Sequence, residues 1–226
     1  NYTRELSSAA SDVYKRQVPG TDNGESRLTV VRFSQEWLRR GREQVMAARS
    51  LFSAGIDAFD ATVNGEPGDG EFYAWLGQFQ WAHRLPVADT QLIFRADAQL
   101  ANGLLPSMEQ FTIGGVDTVR GYRENRLIAD TGYVASLEAR IPVYESDTGG
   151  LSLSLAPFVD YGHADNRSGS DPVRKDITSV GIGLLGTLHK RVRFSLYYGH
   201  AFDDFADAEN DLQDKGFSFA LSARLM

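Results

Sequence analysis

Apolar and polar residues alternate along most of this chain with a period of two. In Thr90–Ala101, Leu92, Phe94, Ala96, Ala98 and Leu100 share one face, against Gln91, Ile93, Arg95, Asp97 and Gln99. In Gly132–Val143, Tyr133, Ala135, Leu137, Ala139, Ile141 and Val143 oppose Val134, Ser136, Glu138 and Arg140. In Leu151–Gly162, Leu151, Leu153, Leu155, Pro157, Val159 and Tyr161 oppose Ser152, Ser154, Ala156, Phe158, Asp160 and Gly162. Ser179–Leu188, the run from Val192 to Tyr198 and the run from Phe217 to Leu225 repeat the pattern. Such alternation over about ten residues predicts strands with one apolar face, because successive side chains of a strand point to opposite sides. Val45–Asp57 and Phe72–Ala82 fit the same rule. Ser26–Leu38 is strand-like too, but its apolar parity slips between Val30 and Phe33, so a bulge is expected there. About nine strands result, and no stretch carries the period of a long amphipathic helix.

Strands of ten to thirteen residues are long for a soluble protein and suit a tilted membrane strand of about 9–11 residues. The connections alternate in length. Short ones are expected at Arg39–Gln44, His83–Asp89, Tyr144–Gly150 and His189–Lys190, and long ones at Ala58–Gly70, Asn102–Thr131, His163–Thr178 and Ala201–Lys215. Short periplasmic turns alternating with long external loops mark an outer-membrane barrel. Tyr73 and Trp81, eight residues apart on one face, would stand roughly 20 Å apart along the membrane normal, near the spacing of the two aromatic girdles. The competing architecture is a soluble β-sandwich or propeller, where alternation also occurs.

Composition narrows the functions. Among 226 residues, 23 Lys and Arg face 30 Asp and Glu, a net charge of −7, the wrong sign for a nucleic-acid binder. There is no Cys, hence no disulfide, thiolate metal site or Cys nucleophile. No apolar run reaches the length of a membrane helix, a test to which a β-barrel is invisible. His83, His163, His189 and His200 are scattered without metal-ligand spacing, so neither a metal nor a cofactor is expected. Asp203, Asp204, Asp207, Glu209, Asp211 and Asp214 form an acidic stretch without calcium-loop spacing and read as a solvated loop. Gly181-x-Gly183 lies within a strand with no helix after it, so it is not a phosphate loop. No Ser and His fall into a hydrolase motif, and no enzymatic activity is expected.

Residues 1–17 stand apart. Their Ser7–Gln17 portion, SSAASDVYKRQ, has neither period and resembles a translated sequencing adaptor. They are expected to be a non-native or disordered leader, leaving residues 18–226 as the barrel segment.

The longest loop carries the most chemistry. Glu109–Arg123 reads EQFTIGGVDTVRGYR. Gly114 and Gly115 permit backbone conformations closed to other residues. Val119, Arg120, Gly121 and Tyr122 then set a permanent cation beside another glycine. Glu138 and Asp160 point inward from the next two strands. A guanidinium folded into the lumen would reach either one, and arginine suits such fork-like pairing.

The string IGGVDTVRGY, the strand GYVASLEARIPV and the string PFVDYG together resemble the C-terminal barrel of two-partner secretion transporters. This is the haemolysin secretion/activation (ShlB/FhaC/HecB) family, within the BamA/TamA superfamily. The likeness extends over about residues 26–226 and is tight over about 105–162. It implies an all-β fold, an antiparallel transmembrane β-barrel represented by about nine of an expected sixteen strands, with five strands after the VRGY loop. It also implies that Arg120 pairs with Asp160, that Phe158 and Gly162 shape the receiving surface, and that Glu138 is a second anion. The chain departs from the family at its end, Ala223-Arg224-Leu225-Met226, where family members usually carry an aromatic residue read by the barrel-assembly machinery. Because an open sheet edge is not tolerated in lipid, and POTRA domains and about seven strands are absent, the sequence reads as part of a larger gene.

The function this implies is a pore in the bacterial outer membrane that translocates, and in some members activates, a secreted exoprotein. Its partners would be that substrate, outer-membrane lipid and, during biogenesis, the barrel-assembly machinery. The rival functions are a BamA/TamA-like assembly factor and a passive porin or adhesin barrel.

Overall fold

Nine strands follow one another in antiparallel order across a single sheet. In the computed structural model, which describes residues 27–58, 61, 70–146, 150–166, 174–189, 191–203 and 212–224, they are β1 (Val30–Arg40), β2 (Gln44–Gly55), β3 (Phe72–Arg84), β4 (Gln91–Ala101), β7 (Thr131–Glu145), β8 (Leu151–Asp165), β9 (Arg174–Leu188), β10 (Val192–Ala201) and β11 (Phe217–Ala223). The sheet order is β1-β2-β3-β4-β7-β8-β9-β10-β11. Two further strands, β5 (Phe111–Ile113) and β6 (Leu127–Ala129), pair with each other inside the loop between β4 and β7. Among the described residues β1 and β11 remain the two edges, so the sheet is open rather than closed. The adaptor-like residues 1–17, the acidic residues Asp204, Asp207, Glu209 and Asp211, and the C-terminal Leu225 and Met226 lie outside the described residues.

Meander topology puts every short turn on one rim and every long connection on the other. Residues 41–43, 85–90, 146–150 and 189–191 join strands on the first rim; residues 56–71, 102–130, 166–173 and 202–216 join them on the second. The two faces invert the usual distribution of polarity. Phe219 and Leu221 on the outer face are 79% and 71% exposed, while Asp160 and Glu138 on the inner face are 0% and 4% exposed. A continuous exposed apolar surface backed by buried charge is the arrangement of a lipid-facing barrel wall, not of a soluble sandwich.

The register corrects one expectation and adds a feature. β1 pairs with β2 without interruption from Val30↔Gly55 to Arg40↔Val45, so the expected bulge is absent there. The parity slip arises because Val30 lies on the inner face, while Val31, Phe33 and Trp37 share the outer one. The bulge falls instead between Pro142 and Tyr144 of β7. Pro142 has no N–H to give the ladder. Val143 is the extra residue, and Tyr144, not Val143, stands opposite Leu153. The β5–β6 pair lies inside the long connection expected at Asn102–Thr131 and adds two strands to those read from the sequence. Three-residue strands are too short to show alternation.

Candidate functional site

The loop between β4 and β7 folds inward because it carries its own apolar cargo. Ile113, Val119, Tyr122, Leu127 and Ala129 form one buried cluster with Val134 of β7, Ala164 of β8 and Ile177 of β9. Fully burying a side chain such as Ile113 or Val119 stabilises the folded loop by about 1.5–3 kcal/mol. Gly162 makes the space. A Cβ there would stand 2.6 Å from Ile113 Cγ2 and 2.9 Å from Val119 Cγ2. The turn leading to Arg120 uses Gly114 and Gly115 at φ 115° and 100°, with Thr118 Oγ1 accepting the Gly114 N–H at 2.8 Å.

Arg120 therefore arrives on the inner face as a buried cation. The register places Ser136 beside Asp160 and Glu138 beside Phe158, so these four inward side chains form one patch on β7 and β8. Arg120 engages all four. Its Nε and Nη2 donate to Asp160 Oδ2 and Oδ1, each at 2.8 Å, and its own backbone N–H donates to Oδ2 at 3.0 Å. Nη1 donates to Glu138 Oε2, and Nη2 also reaches Ser136 Oγ at 3.0 Å. The guanidinium carbon lies 3.6 Å from the ring centroid of Phe158 and 5.0 Å from that of Tyr197, within cation–π range. Burial works against the charge on Arg120, but hydrogen bonds and attraction from Asp160, then Glu138, prevail and raise its pKa above the ordinary arginine value.

The patch is balanced. Glu138 also accepts from Arg140 Nε at 2.7 Å and from the Tyr197 hydroxyl at 3.3 Å, so two arginines face two carboxylates. Phe158 and Tyr197 meet edge to face at 5.9 Å. They lie over Gly181 and Gly183 of β9, where any Cβ would collide with the rings. The following loop residues are clamped as well. Gly121, at φ 91°, packs backbone to backbone on Gly199 of β10, and a Cβ on it would stand 2.9 Å from the Gly199 carbonyl. Tyr122 donates to Thr178 O at 2.8 Å and contacts Asp203 Oδ2 at 3.0 Å. Burial pushes the Tyr122 phenol above its usual pKa.

Chemically, the cluster fixes the loop on the inner wall through charge-assisted hydrogen bonds and a cation–π contact. The residues singled out in the sequence, Val119, Arg120, Gly121, Tyr122, Glu138, Phe158, Asp160 and Gly162, meet in one cluster, with Gly114 and Gly115 at its entrance. Sequence reasoning missed Ser136, Arg140, Tyr197, Gly199 and Thr178. A usable signal existed for Tyr197, since it is a bulky ring on the polar side of an alternating strand. It also missed Asp130, which is buried and anchors the loop from below by accepting from Leu105 N–H at 2.9 Å and Gln110 Nε2 at 3.0 Å. Asp203 belongs to the Tyr122 network rather than to a merely solvated acidic loop. His163 bonds Asp176 at 2.7 Å on the outer face. Among the described residues no group of three or more His, Cys, Asp or Glu side chains is placed to hold a metal.

Two comparisons with known proteins give matches. Residues 21–186 match the family model of the haemolysin secretion/activation protein ShlB/FhaC/HecB. The fold is similar to that of CdiB from Escherichia coli, with a TM-score of 0.73 and 16% identity over 90% of this chain. The chain spans only 37% of that protein's length. No curated protein sequence matches the chain significantly.

Proposed function

The chain belongs to the haemolysin secretion/activation (ShlB/FhaC/HecB) family, and from that premise we propose that it forms part of a bacterial outer-membrane pore that translocates a partner exoprotein in two-partner secretion. The observation that carries this reading is Arg120, a permanent cation drawn from an external loop onto the inner wall and held there by Asp160 and Glu138. A passive pore has no need to bury an arginine fork inside its lumen at the cost of desolvation. In this reading the loop narrows the path at rest, and the cluster sets the loop's position relative to the wall. No nucleotide is involved; the exoprotein threads through unfolded, and whether it is also activated is decided by the same assay.

The test is secretion by the full-length protein co-expressed with the exoprotein encoded beside it. Arg120→Ala and Asp160→Ala are each expected to impair release into the medium, with the double variant little worse than either. Haemolytic or other activity of the released exoprotein reads activation separately. Normal secretion by both single variants would reject the latch. Unchanged secretion together with defective insertion of other outer-membrane proteins would favour the assembly reading.

A further inference from the structure

We propose that the inner wall between the Arg120 cluster and the short-turn rim carries a docking site for an extended, acidic segment of the exoprotein. The inference rests on the secretion reading above and names the substrate chemistry that this wall selects. Arg193 and Ser195 of β10 share the parity of Tyr197, whose hydroxyl meets Glu138, so all three face inward. The register sets Ser152, Thr187, Arg193 and Ser222 in one inward row across β8 to β11. Each stands one residue in from its strand's end at the short-turn rim. Ser154 and Ser195 lie in the next row, on either side of Leu185. With Arg140 of β7, these residues line a cleft of about 450 Å³.

Charge selects the occupant. In a chain of net charge −7, this cleft is lined by two arginines and, among the described residues, by no aspartate or glutamate. The neighbouring inward carboxylates lie outside the lining. Glu138 is taken by Arg120 and Arg140, and Glu145 stands opposite Ser152 at the end of β7. Arg140 commits Nε to Glu138 at 2.7 Å, yet its side chain is 33% exposed and a guanidinium carries further N–H donors. Arg193 is exposed. Arginine forks bind carboxylates through parallel hydrogen bonds. The serine and threonine hydroxyls between the two arginines both donate and accept, so they match the unpaired N–H and C=O groups of an extended chain. Their small size lets a backbone come close. Lipid does not reach an inward face, and in the pore proposed above the short-turn rim is periplasmic. An unfolded exoprotein therefore meets this row at its point of entry.

The test uses the full-length protein in detergent and short fluorescein-labelled peptides in which serine alternates with glutamate, glutamine or lysine. By fluorescence anisotropy the glutamate peptide is expected to bind about tenfold more tightly than the glutamine peptide, and the lysine peptide more weakly than either. Arg193→Gln is expected to remove most of that preference, and Arg193→Lys to keep part of it. Equal binding of the three peptides, or an acidic preference that survives Arg193→Gln, would overturn the proposal. In cells, a benzophenone amino acid in place of Ser195 is expected to cross-link the exoprotein in transit, and one in place of the outward, exposed Leu196 is not. Cells that secrete the exoprotein without cross-links from position 195 would also overturn it. Absence of secretion by the unaltered protein would overturn the secretion reading instead, and the peptide measurement would still decide the site.

Discussion

Arg120 and Arg84 grip aspartates through the same fork, Nε and Nη2 on the two carboxylate oxygens, in opposite surroundings. Arg84 and Asp89 are five residues apart at a short turn, with side chains 64% and 59% exposed. Arg120 and Asp160 are 40 residues apart, with side chains 7% and 0% exposed. Water competes for the first pair and screens it, so little stability depends on it. The second has given up its water, so either member left alone is a buried, uncompensated charge. The geometry of an ion pair therefore says little about its weight in this protein. What decides is whether a lone partner has solvent to return to, and how many other groups have been arranged around the pair. Around Arg84 there is a turn; around Arg120 there are Glu138, Ser136, Phe158 and Tyr197.

The sharpest way to break this contrast is to remove one member of the buried pair. In the full-length protein in lipid vesicles, Asp160→Ala or Arg120→Ala is expected to cost about 3–5 kcal/mol in urea unfolding. The double variant should lose no more than a single one. Additive losses would mean that the two residues act separately. The next effect asks whether surroundings, not the arginine itself, carry the cost. Leu137→Arg or Leu155→Arg places the same side chain on the outer wall with no partner, and about 2–4 kcal/mol of destabilisation is expected in the same titration. A neutral result at both would overturn the assignment of that face to lipid. A smaller loss, about 1–3 kcal/mol, is expected for Gly121→Ala, which forces a side chain into a left-handed backbone against Gly199 and loosens the approach of Arg120. Proteolysis of the loop between β4 and β7 should speed up accordingly.

The smallest effect belongs to the exposed fork. Asp89→Asn should leave the unfolding midpoint unchanged at neutral pH. The Arg84 hydrogen bond holds the Asp89 carboxyl below its usual pKa. Its contribution is complete above the pKa of an unfolded aspartate and is lost as the pH falls through the depressed value. An NMR titration of the Asp89 carboxyl carbon should show the midpoint rising toward the ordinary aspartate value in Arg84→Ala. A large stability loss from either change would erase the distinction between the two forks.

Much of this architecture is legible in the residues themselves. Leu137 and Glu138 must face opposite ways in any strand that contains both, because adjacent Cβ atoms of a strand diverge. The nine long strands, their apolar face, the alternating loop lengths and the inward direction of Glu138 and Asp160 all follow from that one local rule. The exceptions are local failures of the same rule. Val30 is an apolar residue on the polar side, and at Val143 a bulge shifts the parity by one residue. Strands as short as β5 and β6 carry no period to detect.

What alternation could not determine is which inward residues meet, since it assigns a face but not a register. Ser136 lies beside Asp160, and Glu138 beside Phe158, only because β7 and β8 pair at one of several possible offsets. Arg120 reaches that patch because Ile113 and Val119 pull the loop onto Gly162, while Tyr122 ties it to Thr178 and Asp203, 56 and 81 residues further along. Contacts over such separations are outcomes of packing the whole sheet. The sequence alone determined that a cation and two carboxylates were available to one lumen. Only the tertiary structure decided that they share a single dry patch with two aromatic rings, because dryness belongs to the assembled neighbourhood and to no residue in it.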